Sequence, residues 1–276
     1  MVIHGRNFLD SRWAFFVLVY LGSTPFWVAS LFLKVGGLPD NLPVTDIGAT
    51  FVPAAVGTFL VVRRGGWAAA RDLLKRTVDF EKIQPLRWLL ITVFLYPVLF
   101  LITWVLMVAI GLKMPATWGV PVQSLLVLVA FLAAAAGEEL GYSGYAIDRM
   151  QEKYTPAISA LAIGLIHALW HYPSMIQLGQ QLLLMVTGTV FTIAVRILCV
   201  WLYNNTNGSV AASILFHAIG NTCRTLFPGG RAGFEQADAI VGYSVVTLVA
   251  LLVLVFWKAK PLTPKNGIPR ATGPIT

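Results

Sequence analysis

Leu125-Leu126-Val127-Leu128-Val129-Ala130-Phe131-Leu132-Ala133-Ala134-Ala135-Ala136-Gly137-Glu138-Glu139 is the stretch that decides the fold. Thirteen apolar residues run into two adjacent carboxylic acids. A helix that crosses a bilayer takes about 20 predominantly apolar residues. The run therefore reads as most of one span, from Val122 to about Gly141, with its acidic pair inside lipid rather than beyond it. An ionisable group within a span costs at least about 2.5 kcal/mol, so two in a row point to function rather than packing.

The same apolar character extends along the whole chain. Its 276 residues are 57% hydrophobic and 12% charged, with a mean hydropathy of +0.75. A soluble domain carries about 25% charged residues, and half that fraction cannot cover a water-soluble globule of this size. Disordered and collagen-like chains are excluded on the same ground. The reading is an all-α membrane protein of about eight transmembrane helices. The other spans are expected at Trp13 to Leu33, Ile47 to Val62, Trp88 to Leu112, Ala157 to Tyr172, Leu182 to Tyr203, Ser209 to about Arg224, and Ala239 to Trp257.

Residues 1–257 then form a single polytopic transmembrane domain, with residues 122–224 as its motif-bearing core. Residues 258–276, rich in Pro, Gly and Thr, read as a disordered cytoplasmic tail. Arg63 to Arg87 reads as an amphipathic linker on the membrane surface, with Trp67, Leu73, Leu74 and Val78 set among basic residues. The N-terminal segment reads as a signal anchor that stays in place.

Net charge is +8. In a membrane protein this reads as cytoplasmic loops facing anionic lipid rather than as a nucleic-acid partner. Placing the N-terminus inside puts Arg6, Arg12, the seven cations from Arg63 to Arg87, Arg149, Lys153, Lys258, Lys260, Lys265 and Arg270 on the inner side. Only Lys34, Lys113, Arg224 and Arg231 fall outside, and Arg196 lies within a span. Both termini are thus expected in the cytoplasm, with the protein multi-pass in the plasma (cell) membrane and in contact with membrane lipid. Cys199 and Cys223 sit in apolar helices and form no Cys-x-x-Cys motif.

Histidines supply the partners for the acidic pair. If the fourth helix runs on to Lys153 and returns after a turn at Tyr154-Thr155-Pro156, a pivot near about 154.5 sets Glu138 opposite His171. Both then lie about 25 Å from the turn at ~1.5 Å per residue, within the bilayer. His167 and His171 are i,i+4 on one face, as are His217 and Asn221. His4 lies in the N-terminal tail and has no such context.

Three motifs in order carry a resemblance. Glu138-Glu139-Leu140-Gly141-Tyr142-Ser143-Gly144, then His167-Ala168-Leu169-Trp170-His171-Tyr172-Pro173, then His217 to Asn221 resemble the CPBP intramembrane proteases, also called the Abi or type II CAAX prenyl endopeptidase family. The resemblance spans roughly Ala133 to Asn221. Two positions depart from that family's pattern: Ser143 stands where Arg is usual, and His167 where an aromatic residue is usual. Arg196, the only cation within a span, is a candidate replacement for the missing partner of Glu139.

The resemblance implies hydrolysis of a peptide bond in a membrane-associated peptide, lipidated at a CAAX-type terminus or a leader peptide. It implies Glu138, His171, His217 and Asn221 as catalytic residues, with Glu139, Arg196, Ser143 and His167 supporting them. Glu138 with His171 would activate a water, while His217 and Asn221 would donate to the oxyanion. A zinc ion is the alternative, with His171, His217 and His167 as candidate ligands; no His-Glu-x-x-His motif is present, since residue 168 is Ala. A non-catalytic relative, binding membrane partners as a regulator or immunity-type protein, is the second reading. A transporter is the third, and no internal repeat supports it.

Overall fold

The computed structural model describes residues 8–33, 44–114, 124–230 and 239–257. The described residues are helical with no strand, as expected where lipid offers backbone groups no hydrogen-bond partner. The chain is an all-α membrane protein. The tail at 258–276 and His4 lie outside the described residues.

Chain order gives α1 (Ala14–Ser30), α2 (Val44–Ala49), α3 (Val52–Lys75), α4 (Arg87–Ala109), α5 (Ser124–Gly141), α6 (Ile147–Gln151), α7 (Pro156–Trp170), α8 (Tyr172–Gln177), α9 (Leu182–Asn205), α10 (Val210–Thr225) and α11 (Ala239–Phe256). Five helical stretches are long and apolar enough to cross a membrane: Asp46–Val78, Arg87–Ala109, Ser124–Gln151, Leu182–Asn205 and Ala239–Phe256. α1 is a shorter apolar helix of 17 residues. The segments expected as the fifth and seventh spans form α7 and α10, of 15 and 16 residues.

The expected linker after Val62 is largely a continuation of α3, which turns at Gly66 (φ 68°) and runs on to Lys75. A positive φ of this kind is open to glycine at little cost, so the Gly65-Gly66 pair lets the helix change direction and run on. Beyond the turn Leu73 is buried, while Trp67 remains 78% exposed.

Large apolar side chains such as Phe94, Val98, Leu101, Ile102 and Val105 of α4 face outward. In water this would be an aggregation surface; on a membrane-spanning helix such a face is the ordinary arrangement. Lipid contacts apolar side chains as well as other helices do, so helix association depends on close approach at small residues. Helix α9 packs between α7 and α11, α10 against α5 and α4, and α3 against α5. A Cβ at Gly141 would sit 2.3 Å from the carbonyl oxygen of Pro53, and one at Gly164 would sit 3.0 Å from Ile193 Cα. These contacts set the α3–α5 and α7–α9 spacings on which the site depends.

One end of the bundle carries a polar network. Arg63 pairs with Asp10 at 2.7 Å and holds its carboxyl below the usual carboxylate range through that hydrogen bond. Arg149 Nη2 donates to Asp10 O at 3.0 Å. Arg76 donates to Gly144 O (2.7 Å), Gly208 O (3.0 Å) and the Tyr203 hydroxyl, and pairs with Asp148 at 3.5 Å. Asp79 accepts from Ser209 Oγ (2.9 Å) and Ala211 N (3.0 Å), while Ser209 Oγ accepts from Ala212 N (3.1 Å). Serine and aspartate together thus satisfy the open N–H groups at the start of α10.

Replacing Gly141 with Ala forces the α3 and α5 backbones apart. The expected cost is about 1–3 kcal/mol, visible as a lower unfolding temperature in detergent; an unchanged transition would show that the contact relaxes freely.

Candidate active site

Glu138 and Glu139 lie near the middle of the continuous helical stretch Ser124–Gln151. Successive residues of an α-helix point about 100° apart, so the two carboxylates cannot face the same neighbour. Glu139 points into the bundle and is fully buried. Its Oε2 accepts from Arg196 Nη1 at 2.7 Å and from the Ser143 hydroxyl, and its Oε1 lies 2.9 Å from His217 Nδ1. Helices α5, α9 and α10 therefore meet at one carboxylate.

Ser143 reaches back to Glu139 from a turn of π-helix, Tyr142–Ala146, between α5 and α6. Such turns recur at functional sites. This one is held from outside by the Arg76 bond to Gly144 O. Tyr142, in the same turn, lies under the Arg196 guanidinium, 5.0 Å from ring centre to Cζ. Its ring also packs on His167 at 4.4 Å.

Glu138 points the other way, into a cavity of about 480 Å3 whose lining includes His167, His171, His217 and Asn221. Its Oε2 lies 3.0 Å from His167 Nε2. The contact is close but misaligned, and among the described residues neither atom has an aligned hydrogen-bond partner; both are buried. The other nitrogen fixes the tautomer. Arg196 Nη2 is 3.0 Å from His167 Nδ1, and a guanidinium only donates. Nδ1 therefore accepts, and the proton of the neutral ring sits on Nε2, beside Glu138.

His171 occupies the joint between α7 and α8. Pro173 has no N–H to continue the ladder, so α7 ends at Trp170 and α8 restarts at Tyr172. The His171 ring lies 4.9 Å from that of His167, centre to centre. The expected hairpin set Glu138 opposite His171; the structure brings His167, one turn earlier, into contact with Glu138 and sets His171 on the same cavity. The reason is local. The pivot assumed unbroken α-helix to Lys153, whereas α6 ends at Gln151 after the π turn.

His217 and Asn221 share the cavity face of α10. With a carboxylate at Nδ1, the His217 ring places its proton there and leaves Nε2 as an acceptor in the neutral form. It donates into the cavity only as imidazolium.

A zinc ion is a poor fit to this donor set. Among the described residues no three His, Cys, Asp or Glu side chains are grouped as ligands. With Nδ1 accepting from Arg196, His167 carries its proton on Nε2 and offers the cavity no lone pair, whereas His217, with Nδ1 on Glu139, keeps one on Nε2. No chemical step below is routed through a metal.

Sequence reasoning had no signal for Arg76 or for Asp46, whose Oδ1 accepts from Ser174 Oγ at 2.7 Å at the far rim of the cavity. Both act across long sequence separations, from segments with no chemical motif.

With the geometry in place, comparison with known proteins gives a class. Residues 120–223 match the family described as type II CAAX prenyl endopeptidase Rce1-like, and all three motifs fall within that match. This likeness supports a membrane endopeptidase. Among curated proteins it is similar to CAAX prenyl protease 2 of Methanococcus maripaludis. The two are 22% identical over 257 residues, covering 88% of this chain and 91% of the relative.

Removing one member of a buried ion pair strands the other, at about 3–5 kcal/mol. Arg196→Met alone is expected to lose about that much, read as thermal unfolding in detergent. Arg196→Met combined with Glu139→Gln is expected to recover part of it. A double variant no better than the single would show that Arg196 contributes chiefly through packing.

Proposed function

We propose that the chain is an intramembrane endopeptidase that hydrolyses a peptide bond of a membrane-associated peptide with a water activated by Glu138. The observation that carries the reading is the buried pair Glu138 Oε2 and His167 Nε2. They lie 3.0 Å apart at the cavity floor, in a misaligned contact that leaves each incompletely satisfied among the described residues. Buried polar atoms are almost always satisfied by protein or ordered water. Two incompletely satisfied atoms of opposite character, facing a space large enough for a peptide, suit a bound water held by both.

The steps follow from the groups present. Glu138 takes a proton from the water as its oxygen attacks the carbonyl carbon. The carbonyl π electrons move to oxygen, and the tetrahedral oxyanion accepts hydrogen bonds from the Asn221 amide and from His217 Nε2–H in the charged ring. Glu139 and Arg196 hold the His217 and His167 rings in the tautomers this needs. As the C–N bond breaks, Glu138 returns its proton to the leaving nitrogen. His171, stacked on His167, lines the cavity beside the base and is a candidate to orient the water or the substrate carbonyl.

A purely binding role needs no buried carboxylate beside an imidazole N–H that only partly satisfies it, so the site favours chemistry. The substrate is a membrane-associated peptide or protein, for which lipidated C-terminal and leader sequences are the candidates.

Glu138→Gln is nearly isosteric and cannot accept the proton. It is expected to abolish cleavage of membrane-tethered peptides while leaving thermal unfolding close to that of the parent. Asn221→Ala is expected to lower kcat by about 10²- to 10³-fold, as for loss of one oxyanion donor. Unchanged turnover in Glu138→Gln would refute the assignment. Activity is further expected to persist in chelator; loss on chelation with recovery on adding zinc would favour the metal alternative.

A further inference from the structure

The cavity occupies one half of the bundle, and the cations occupy the other end. Helix directions define the two ends. α1, α4, α7 and α10 run away from the network around Asp10, Arg76 and Asp148, and α2–α3, α5–α6, α9 and α11 run toward it. Among the described residues, Arg12, Arg63, Arg64, Arg71, Lys75, Arg76, Lys82, Arg87, Arg149 and Lys153 lie at that network end. Lys113 and Arg224 are the described cations at the opposite end.

Helices α2, α4, α5, α7, α8, α9 and α10 contribute to the cavity, from their middles or from the half away from the basic end. Glu138 and Arg196 lie at the floor, mid-helix. Asp46, Gln180 and Thr225 line the cavity at the far ends of α2, the α8–α9 connection and α10. Ile47 and Phe51 also line it, and each is about half exposed.

Basic residues near span ends mark the cytoplasmic side. From these two asymmetries together we infer that the cavity opens on the extracytoplasmic side. Its substrate is then a peptide tethered in, or emerging from, the outer leaflet. The apolar rim at Ile47 and Phe51 is where such a peptide leaves lipid for the cavity. It descends to Glu138 without its backbone crossing the hydrocarbon core. A peptide anchored in the inner leaflet meets instead the cationic network and the floor of packed side chains beneath Glu139. The nature of this occupant rests on the peptidase reading; the direction of the opening does not.

Cysteine accessibility tests the direction. Thr225 is an exposed cavity-lining residue, whereas Asp72 is exposed at the basic end. In intact cells a membrane-impermeant maleimide is expected to label Thr225→Cys to the same extent as after permeabilisation, and to label Asp72→Cys only after permeabilisation. Each is measured against the parent, in which Cys199 is buried and Cys223 partly so. Gln180→Cys provides a second cavity-end site should Thr225→Cys fail to accumulate. The reverse pattern, or labelling of both ends from outside, overturns the inference. In the same cells a reporter peptide anchored in the outer leaflet is expected to be cut, and its prenylated inner-leaflet counterpart spared. Cleavage of the inner-leaflet peptide alone also overturns it. Outside labelling of Thr225→Cys with neither peptide cut supports the direction and refutes the peptidase reading.

Discussion

The fully buried Glu139 carboxylate is the constraint around which the helices arrange. A charge inside a bilayer is tolerated only where donors surround it, and this one takes Arg196, His217 and Ser143 from three different elements. Satisfying it fixes α9 and α10 against α5 in both depth and rotation. Close approach of α7 to α9 at Gly164, beside Arg196 Cβ, then lets the second arm of the guanidinium reach His167. Two imidazole tautomers are thus set by one ion pair.

The adjacent carboxylate gains its character from this arrangement. Glu138 shares its neighbour's depth but faces the cavity, where it meets the His167 imidazole N–H, which does not fully satisfy it. Structural demand and chemical reactivity are therefore divided between consecutive residues by the helical rotation. The supporting parts lie farther out. The π turn carries Ser143 and Tyr142, and Arg76 holds the turn from the basic end. The capped start of α10 orients His217 and Asn221 through Ser209 and Asp79.

Much of this was legible in the residues. Helical apolar runs at known spacing could be nothing else in a chain so poor in charge, and an acidic pair within such a run announced itself by its cost. Arg196 stood out as a cation in a span, which must turn inward, and the structure sets it against Glu139. The contact between Glu138 and His167 was not legible, because a π turn shifts register without any compositional mark. The path of α3 beyond Val62 was partly hidden. Its amphipathic pattern suggested a surface segment, yet only the Gly65-Gly66 pair hinted that span and segment are one bent helix. Arg76 and Asp46 were invisible for a different reason: they act through a backbone carbonyl and a serine hydroxyl, partners that carry no periodic signal.

The central claim is that Glu138 and His167 hold one water between them inside the membrane. Density for the protein in a lipid nanodisc, at a resolution that shows ordered solvent, tests it most directly. The account predicts a water within hydrogen-bond reach, about 2.6–3.2 Å, of both Glu138 Oε2 and His167 Nε2. A Glu138 side chain turned out toward lipid, or an aligned hydrogen bond between the two residues that leaves no space for solvent, would contradict it.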